Sequence, residues 1–222
     1  STRKESSAAS DVYKRQVKTY VDGVIDNQKY MFSYHSGLNS THPYQSAWYE
    51  WPLGNRPVWF YSGGQNPDTT KFGTISTFGN PAVWWICFAG TLTLFIMFLR
   101  NRFRLNAEIF FIFACMASSM LPWMLISRCV FVYHYFATVP MIILASVYVL
   151  KHYEDKFYYI PLERGDMISG GAKFVPKIKF IWLAAAIVLF AVFYPVISGI
   201  QVSREYIRAL EWLPTWTFFG TW

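Results

Sequence analysis

The chain has 222 residues, of which 54% are hydrophobic, 20% aromatic and only 15% charged, with a formal net charge of +7. Charged residues make up about a quarter of an average soluble domain, so an ordinary soluble class is excluded, and no nucleic-acid partner is expected. The apolar residues gather in long runs separated by short basic segments, and because a spanning helix needs about 20 mostly apolar residues, the runs point to a multi-span membrane protein.

Residues 1–16, STRKESSAASDVYKRQ, are polar and unlike the rest of the chain. They lack the apolar core of a signal peptide. Read back as the codons GAT GTG TAT AAG AGA CAG, the DVYKRQ at 11–16 resembles the transposase end sequence used in DNA library preparation. The stretch is expected to be a non-native or disordered leader, with the protein's own sequence continuing upstream. Residues 17–80 are expected to form an outer loop. At its start, Val17, Tyr20, Val21, Val24 and Ile25 have the spacing of an amphipathic, interfacial helix. Gly, Pro, Asn and Ser then accumulate, which implies an ordered loop. Residues 42–61, HPYQSAWYEWPLGNRPVWFY, crowd aromatics around one histidine and one arginine. Such a run suits a sugar-stacking or membrane-facing surface, and equally a loop packed by its own side chains. Asn39-Ser40-Thr41 fits the glycosylation sequon. His35 and His42 are too few for a metal site; no metal and no cofactor are expected.

Four spans are predicted at 81–99, 107–126, 129–150 and 180–200, within a transmembrane region 81–200. Ser127-Arg128 marks the turn between the second and third, because one continuous helix there would be about twice the bilayer thickness. The link RNRFRLN at 100–106 carries Arg100, Arg102 and Arg104, and residues 151–179 add six more Lys or Arg. The positive-inside rule puts both links in the cytoplasm and both chain ends outside. Trp84 and Trp85 then fall at the outer end of the first span, where amphipathic rings favour the headgroup level. Residues 201–222, with Trp212, Trp216 and Trp222, read as an outer interfacial tail, too short to cross and broken by Pro214 and Gly220. Cys87, Cys115 and Cys129 lie in apolar runs without a C-x-x-C pair, so buried thiols are expected and no disulfide framework.

Polar groups within spans are functional candidates. In SRCVFVYHYFATVP, Arg128 sits at the outer mouth of the third span, with His134 and Tyr135 further in. On a continuous helix His134 lies about two turns from Arg128 on a similar face. The planar guanidinium suits a lipid-linked phosphate; the alternative is an Arg that snorkels to the interface. Sugar transfer to a hydroxyl wants a carboxylate base. The outer acids Asp22, Asp26, Glu50, Asp68, Glu205 and Glu211 include no close pair, and only Glu50 lies in a dense motif.

Four stretches, YHSGLNSTHPYQSAWYEWPLGNRPVWFY, ISTFGNPAVWW, LPWMLISRCVFVYHYFATVP and FYPVISG, occur in an order that resembles the C-terminal four-span region of the protein O-mannosyltransferases. The resemblance covers about residues 28–200 and is nearest the bacterial form. It implies an all-α membrane protein of four transmembrane helices with an aromatic-rich outer loop, part of a GT-C glycosyltransferase. The implied activity is inverting transfer of mannose from a polyprenyl-phosphate carrier to Ser or Thr of an exported protein, at the outer side of the plasma membrane. The implied partners are the polyprenyl-phosphate-mannose donor, the protein acceptor and the bilayer. The family's acidic catalytic motif belongs to a first outer loop upstream of these stretches, so the catalytic groups are not assigned and the chain alone is expected to be inactive. His42, Trp48, Trp51, Arg56, Arg128, His134 and Tyr135 are expected to line the carrier and acceptor cavity. Two other readings stay open: a related transferase of a different lipid-linked sugar, and a non-catalytic four-span module for partner binding or transport. A transporter calls for paired broken helices at midplane, which the sequence does not suggest.

Overall fold

The computed structural model describes residues 2–37, 41–63, 70–100, 106–158 and 169–219, with side chains described outside 2–14 and 155–176. Residues 101–105 and 159–168 of the two basic links, the Asn39-Ser40 part of the sequon, Asp68, Gly220 and Trp222 lie outside the described residues. The chain forms two compact units: residues 1–41 with 126–129, and residues 42–125 with 130–222.

The first unit is built on one helix, α1 (Thr2–Ser36), which contains the residues predicted as helical and runs back through the leader. Val17, Tyr20, Val21, Val24 and Ile25 are all exposed on it. Its end is tied off locally. Ser36 donates to the Phe32 carbonyl at 2.8 Å, Gly37 N–H donates to the Ser33 carbonyl at 3.1 Å, and Ser127 donates to the Ser36 carbonyl at 2.9 Å.

In the second unit, a hairpin of β1 (Val58–Gly63) and β2 (Lys71–Thr77) leads into four long helices: α2 (Pro81–Arg100), α3 (Ala107–Met124), α4 (Val139–Tyr158) and α5 (Ser169–Ser198). A short β3 (Val202–Ser203) and α6 (Arg204–Ala209) come after them. Among the described residues, three helical stretches are long and apolar enough to cross a membrane: Pro81–Arg100, Ala107–Met124 and Lys177–Ser198. α4 packs against α2, α3 and α5, and its last turns carry Lys151, Glu154, Asp155 and Lys156.

Local chemistry sets the helix starts. The Asn80 side chain accepts the Ala82 N–H at 3.0 Å, and Pro81 comes next at the first helical position, where its missing N–H costs nothing. The same Asn80 amide donates to the Ala186 carbonyl of α5 at 2.7 Å, so one cap also joins two helices. Asn106 caps α3 by accepting the Ile109 N–H at 2.8 Å. α2 approaches α4 closely through Gly90: a Cβ there would lie 2.1 Å from Ser146 Oγ. Small residues let membrane helix backbones approach in this way.

One expectation changes. The helix predicted from residue 129 starts at Val139, after an extended stretch and a 3₁₀ helix, Val132–Ala137. Pro140 is the reason: its ring would clash with the carbonyl of Phe136 if an α-helix ran through it, and it has no N–H to donate. The tryptophans at the start of α2 also serve as packing pieces. Trp84 is buried, edge-on to Tyr135 at 5.1 Å. Trp85 donates to the Leu53 carbonyl at 3.0 Å and stacks on Trp216 at 6.0 Å.

The structure also adds a three-stranded antiparallel sheet, ordered β1-β2-β3, in which Val58 faces Thr77 and Phe72 faces Val202. Gly73 is required here, since a Cβ would lie 2.5 Å from the Gly199 carbonyl oxygen. Gly199 itself, at φ +75, ends α5 in the left-handed conformation. The tail then folds back over sheet and helix. Trp216 and Phe218 are fully enclosed with Phe72, Phe193 and Val196, and Thr74 donates to the Phe218 carbonyl at 2.7 Å.

Candidate functional site

The loop from His42 to Arg56 and the 3₁₀ helix Val132–Ala137 meet in one aromatic cluster with the mouth of α2. The loop is held by its own polar groups. Ser46 N–H donates to the Val130 carbonyl at 2.9 Å. Trp51 Nε1 donates to Ser46, reaching its carbonyl at 3.2 Å and its hydroxyl at 3.1 Å. Trp216 Nε1 donates to the Gly54 carbonyl at 2.9 Å, which clamps the loop from the tail side. Gly54 is left-handed at φ 71, and Arg56 is left-handed at φ 54. For a residue other than glycine that conformation is strained, and such strain persists where the surroundings enforce it. Arg56 stays exposed and donates through Nη1 to the Gln45 carbonyl at 2.9 Å.

At the centre is His134. Its ring stacks on Trp51 at 5.9 Å and 13°, meets Trp123 edge-on at 3.9 Å, and lies along Tyr133 at 4.5 Å. His134 Nδ1 is 3.0 Å from the Phe131 carbonyl. A carbonyl only accepts, so Nδ1 carries the proton and the lone pair of the neutral ring sits on Nε2. His42 is the converse: its Nδ1 accepts the Tyr44 N–H at 3.2 Å, which leaves the proton of the neutral ring on Nε2. Its ring is edge-on to Phe131 at 5.1 Å.

The seven predicted residues therefore divide. His42, Trp48, Trp51, His134 and Tyr135 belong to or pack around the cluster, and Arg56 caps its loop from the exposed side. Trp51 and Tyr135 are 0% and 2% exposed, so their part is to hold the partly exposed His42, Trp48 and His134 in place. Arg128 belongs to the first unit, where its Nη1 lies 3.0 Å from His35 Nδ1. It does not share a helix with His134, because residues 125–131 are not helical.

Two of the acids hold backbone groups. Glu50 Oε2 accepts the Ala47 N–H at 2.7 Å and Glu211 Oε1 accepts the Phe218 N–H at 3.0 Å. Sequence reasoning missed Gly79 and Thr138. A Cβ on Gly79 would fall 1.9 Å from Trp84 Cε2, and the Thr138 hydroxyl is buried without a hydrogen-bond partner. GNP before a span hints at the first; nothing in the sequence marks the second.

The fold and the site define a multi-pass membrane protein with a folded aromatic loop clamped over its helix mouths. The family model for the C-terminal four-span region of protein O-mannosyltransferase matches residues 21–216, and the chain belongs to that family. It is similar to polyprenol-phosphate-mannose–protein mannosyltransferase of Mycobacterium tuberculosis (strain CDC 1551 / Oshkosh), at 26% identity over 83% of this chain and 35% of that protein. It is similar also to dolichyl-phosphate-mannose–protein mannosyltransferase 4 of Candida albicans, at 28% identity over 87% of this chain and 27% of that protein. The fold matches a chain of the S. cerevisiae protein O-mannosyltransferase Pmt1-Pmt2 complex bound to the sugar donor, with a TM-score of 0.65 and 19% identity over 90% of this chain and 27% of that one. The chain thus spans about a third, or less, of the length of these proteins.

Proposed function

We propose that this chain is the carrier- and acceptor-facing part of an inverting transferase that moves mannose from a polyprenyl-phosphate carrier to Ser or Thr of an exported protein. The observation that carries this is the clamped loop, with His42, Trp48 and Arg56, built around a histidine of fixed tautomer, His134. Aromatic faces with few charges suit a sugar and a lipid. In the reaction the acceptor hydroxyl attacks the anomeric carbon from the face opposite the phosphate. The bond from that carbon to the phosphate oxygen breaks, and the carrier phosphate leaves with the electron pair. A carboxylate takes the hydroxyl proton; the family resemblance puts that base in an acidic motif in another part of the enzyme, while Glu50 and Glu211 each accept a backbone N–H here. Arg128 would stabilise the charge growing on the phosphate, with His35 orienting its guanidinium. The cell membrane is the setting, with loop and tail on the outer side.

The test uses the enzyme that contains this chain, purified and given labelled polyprenyl-phosphate-mannose and a Ser/Thr peptide. Label should pass to the peptide, and GDP-mannose should not replace the lipid donor. Transfer from GDP-mannose alone, or labelling of a lipid in place of the peptide, would contradict the proposal.

A further inference from the structure

Val17, Tyr20, Val21, Val24, Ile25 and Phe32 of α1 are each between 43% and 74% exposed. At 3.6 residues per turn they share one side of the helix, an arc of roughly 140°. The charged residues between Val17 and Ser36 are Lys18, Asp22, Asp26 and Lys29, and the same spacing gathers them outside that arc. Two lysines and two aspartates cancel, and Lys29 Nζ pairs with Asp26 Oδ1 at 3.6 Å. Tyr30 and Tyr34, stacked at 6.3 Å, are exposed along the other border of the apolar side.

The end of this helix is tied to a turn that the chain itself holds near the bilayer. Within the same unit, Ser127 donates to the Ser36 carbonyl at 2.9 Å, and Arg128 Nη1 donates to His35 Nδ1 at 3.0 Å. An arginine only donates, so the His35 ring is neutral, with its proton on Nε2. Ser127 follows Met124, the end of a membrane-crossing stretch, by three residues. Three residues span at most about 11 Å, so by chain length alone Ser127 stays near the level where that stretch leaves the hydrocarbon. Among the described residues, α1 is not one of the stretches apolar enough to cross. A helix that is polar overall and apolar along one side lies in the plane of the interface. Tyrosines at its border favour the headgroup level. Because the charges on the polar side cancel, burial of the apolar side supplies the binding, and attraction to anionic lipid does not.

We infer that α1 docks flat on the outer leaflet, with Val17, Val21, Val24 and Phe32 in the upper acyl region and Lys18, Asp22, Asp26 and Lys29 in water. The occupant of the apolar side is phospholipid, whatever its headgroup charge. The inference takes from the proposed function only the side of the membrane, and it holds whichever sugar the enzyme moves. Docking also keeps the 126–129 turn at the surface, because His35 and Ser36 close the same helix, and so sets the height of Arg128.

The test is spin labelling of the enzyme that contains this chain, cleared of other reactive thiols and placed in phosphatidylcholine nanodiscs. Single nitroxides are attached through Val21→Cys, Val24→Cys, Asp22→Cys or Asp26→Cys. Oxygen concentrates in lipid, and a nickel chelate stays in water. The ratio of oxygen to nickel contact should be at least about fivefold higher at the two valine positions than at the two aspartate positions. Adding phosphatidylglycerol should leave that ratio unchanged. Nickel contact at all four positions means a helix in water. Oxygen contact at all four means one sunk in the hydrocarbon, and neither reagent at the valine positions means one covered by protein. Each of these overturns the inference, as does oxygen contact that needs phosphatidylglycerol. On the unaltered enzyme, phosphatidylcholine with a diazirine near the top of an acyl chain should label Val17, Val21 or Phe32. Adducts confined to other helices would overturn the inference without any substitution. None of these readings uses mannose, so a failure here and a failure of the transfer assay are told apart.

Discussion

Gly79→Ala should loosen the site from a position that touches no substrate. The new Cβ would meet three atoms of the Trp84 ring, at 1.9, 2.3 and 2.4 Å from Cε2, Cδ2 and Cζ2. That ring has little room to retreat. It is buried, edge-on to Tyr135 at 5.1 Å and to Phe136 at 5.7 Å. Overpacking of this kind costs about 1–3 kcal/mol. For a chain of this size, each kcal/mol lowers the midpoint by about 2–4 °C, so a fall of roughly 2–12 °C is expected. The assay is thermal unfolding in detergent with a thiol-reactive dye, in a Cys115→Ala, Cys129→Ala background, so that the buried Cys87 reports the loss of the α2 packing. Trp84→Leu in the same chain should recover part of the loss in a double-mutant cycle. A midpoint within about 1 °C of the parent, or strict additivity of the two changes, would refute the claim that Gly79 is there to admit Trp84.

Glu50→Gln should leave transfer within a few-fold, because the amide oxygen still accepts the Ala47 N–H; abolished transfer with a normal midpoint would instead make Glu50 the base. Arg128→Ala in the whole enzyme should cut transfer by about a hundred- to a thousand-fold with normal insertion, and Arg128→Lys should also be impaired for want of the planar fork; near-parental rates would leave Arg128 a membrane anchor. Thiols introduced at Ser62 and Thr217 should react with an impermeant reagent from outside, and one at Asn101 should not; the reverse pattern would invert the proposed orientation.

Much of the helical frame is legible in the sequence, because runs such as 81–99 and 107–126 are long, apolar and closed by polar links. The start of α4 is not, since the aromatic run before Pro140 is as apolar as the helix after it and hydropathy alone cannot separate them. The sheet is hidden for the opposite reason. In β2 the buried positions include Gly73, Thr74 and Ser76, so the alternation of apolar and polar residues that marks a half-buried strand is missing. Of the site, the loop aromatics and His134 are visible as composition and spacing. Their grouping depends on contacts between segments far apart in the chain, such as Trp51 with His134 and Gly54 with Trp216. The Arg128–His35 pair is likewise a contact across 93 positions, which periodicity does not encode.

The central claim is that the loop cluster around His134 serves sugar transfer. It is tested most directly by the transfer rate of the whole enzyme carrying His134→Phe, which keeps a ring against Trp51 and Trp123 and removes both nitrogens. The account predicts a fall of at least tenfold at an unchanged thermal midpoint. Transfer at the parental rate, with the midpoint unchanged, would contradict it and leave His134 a packing residue.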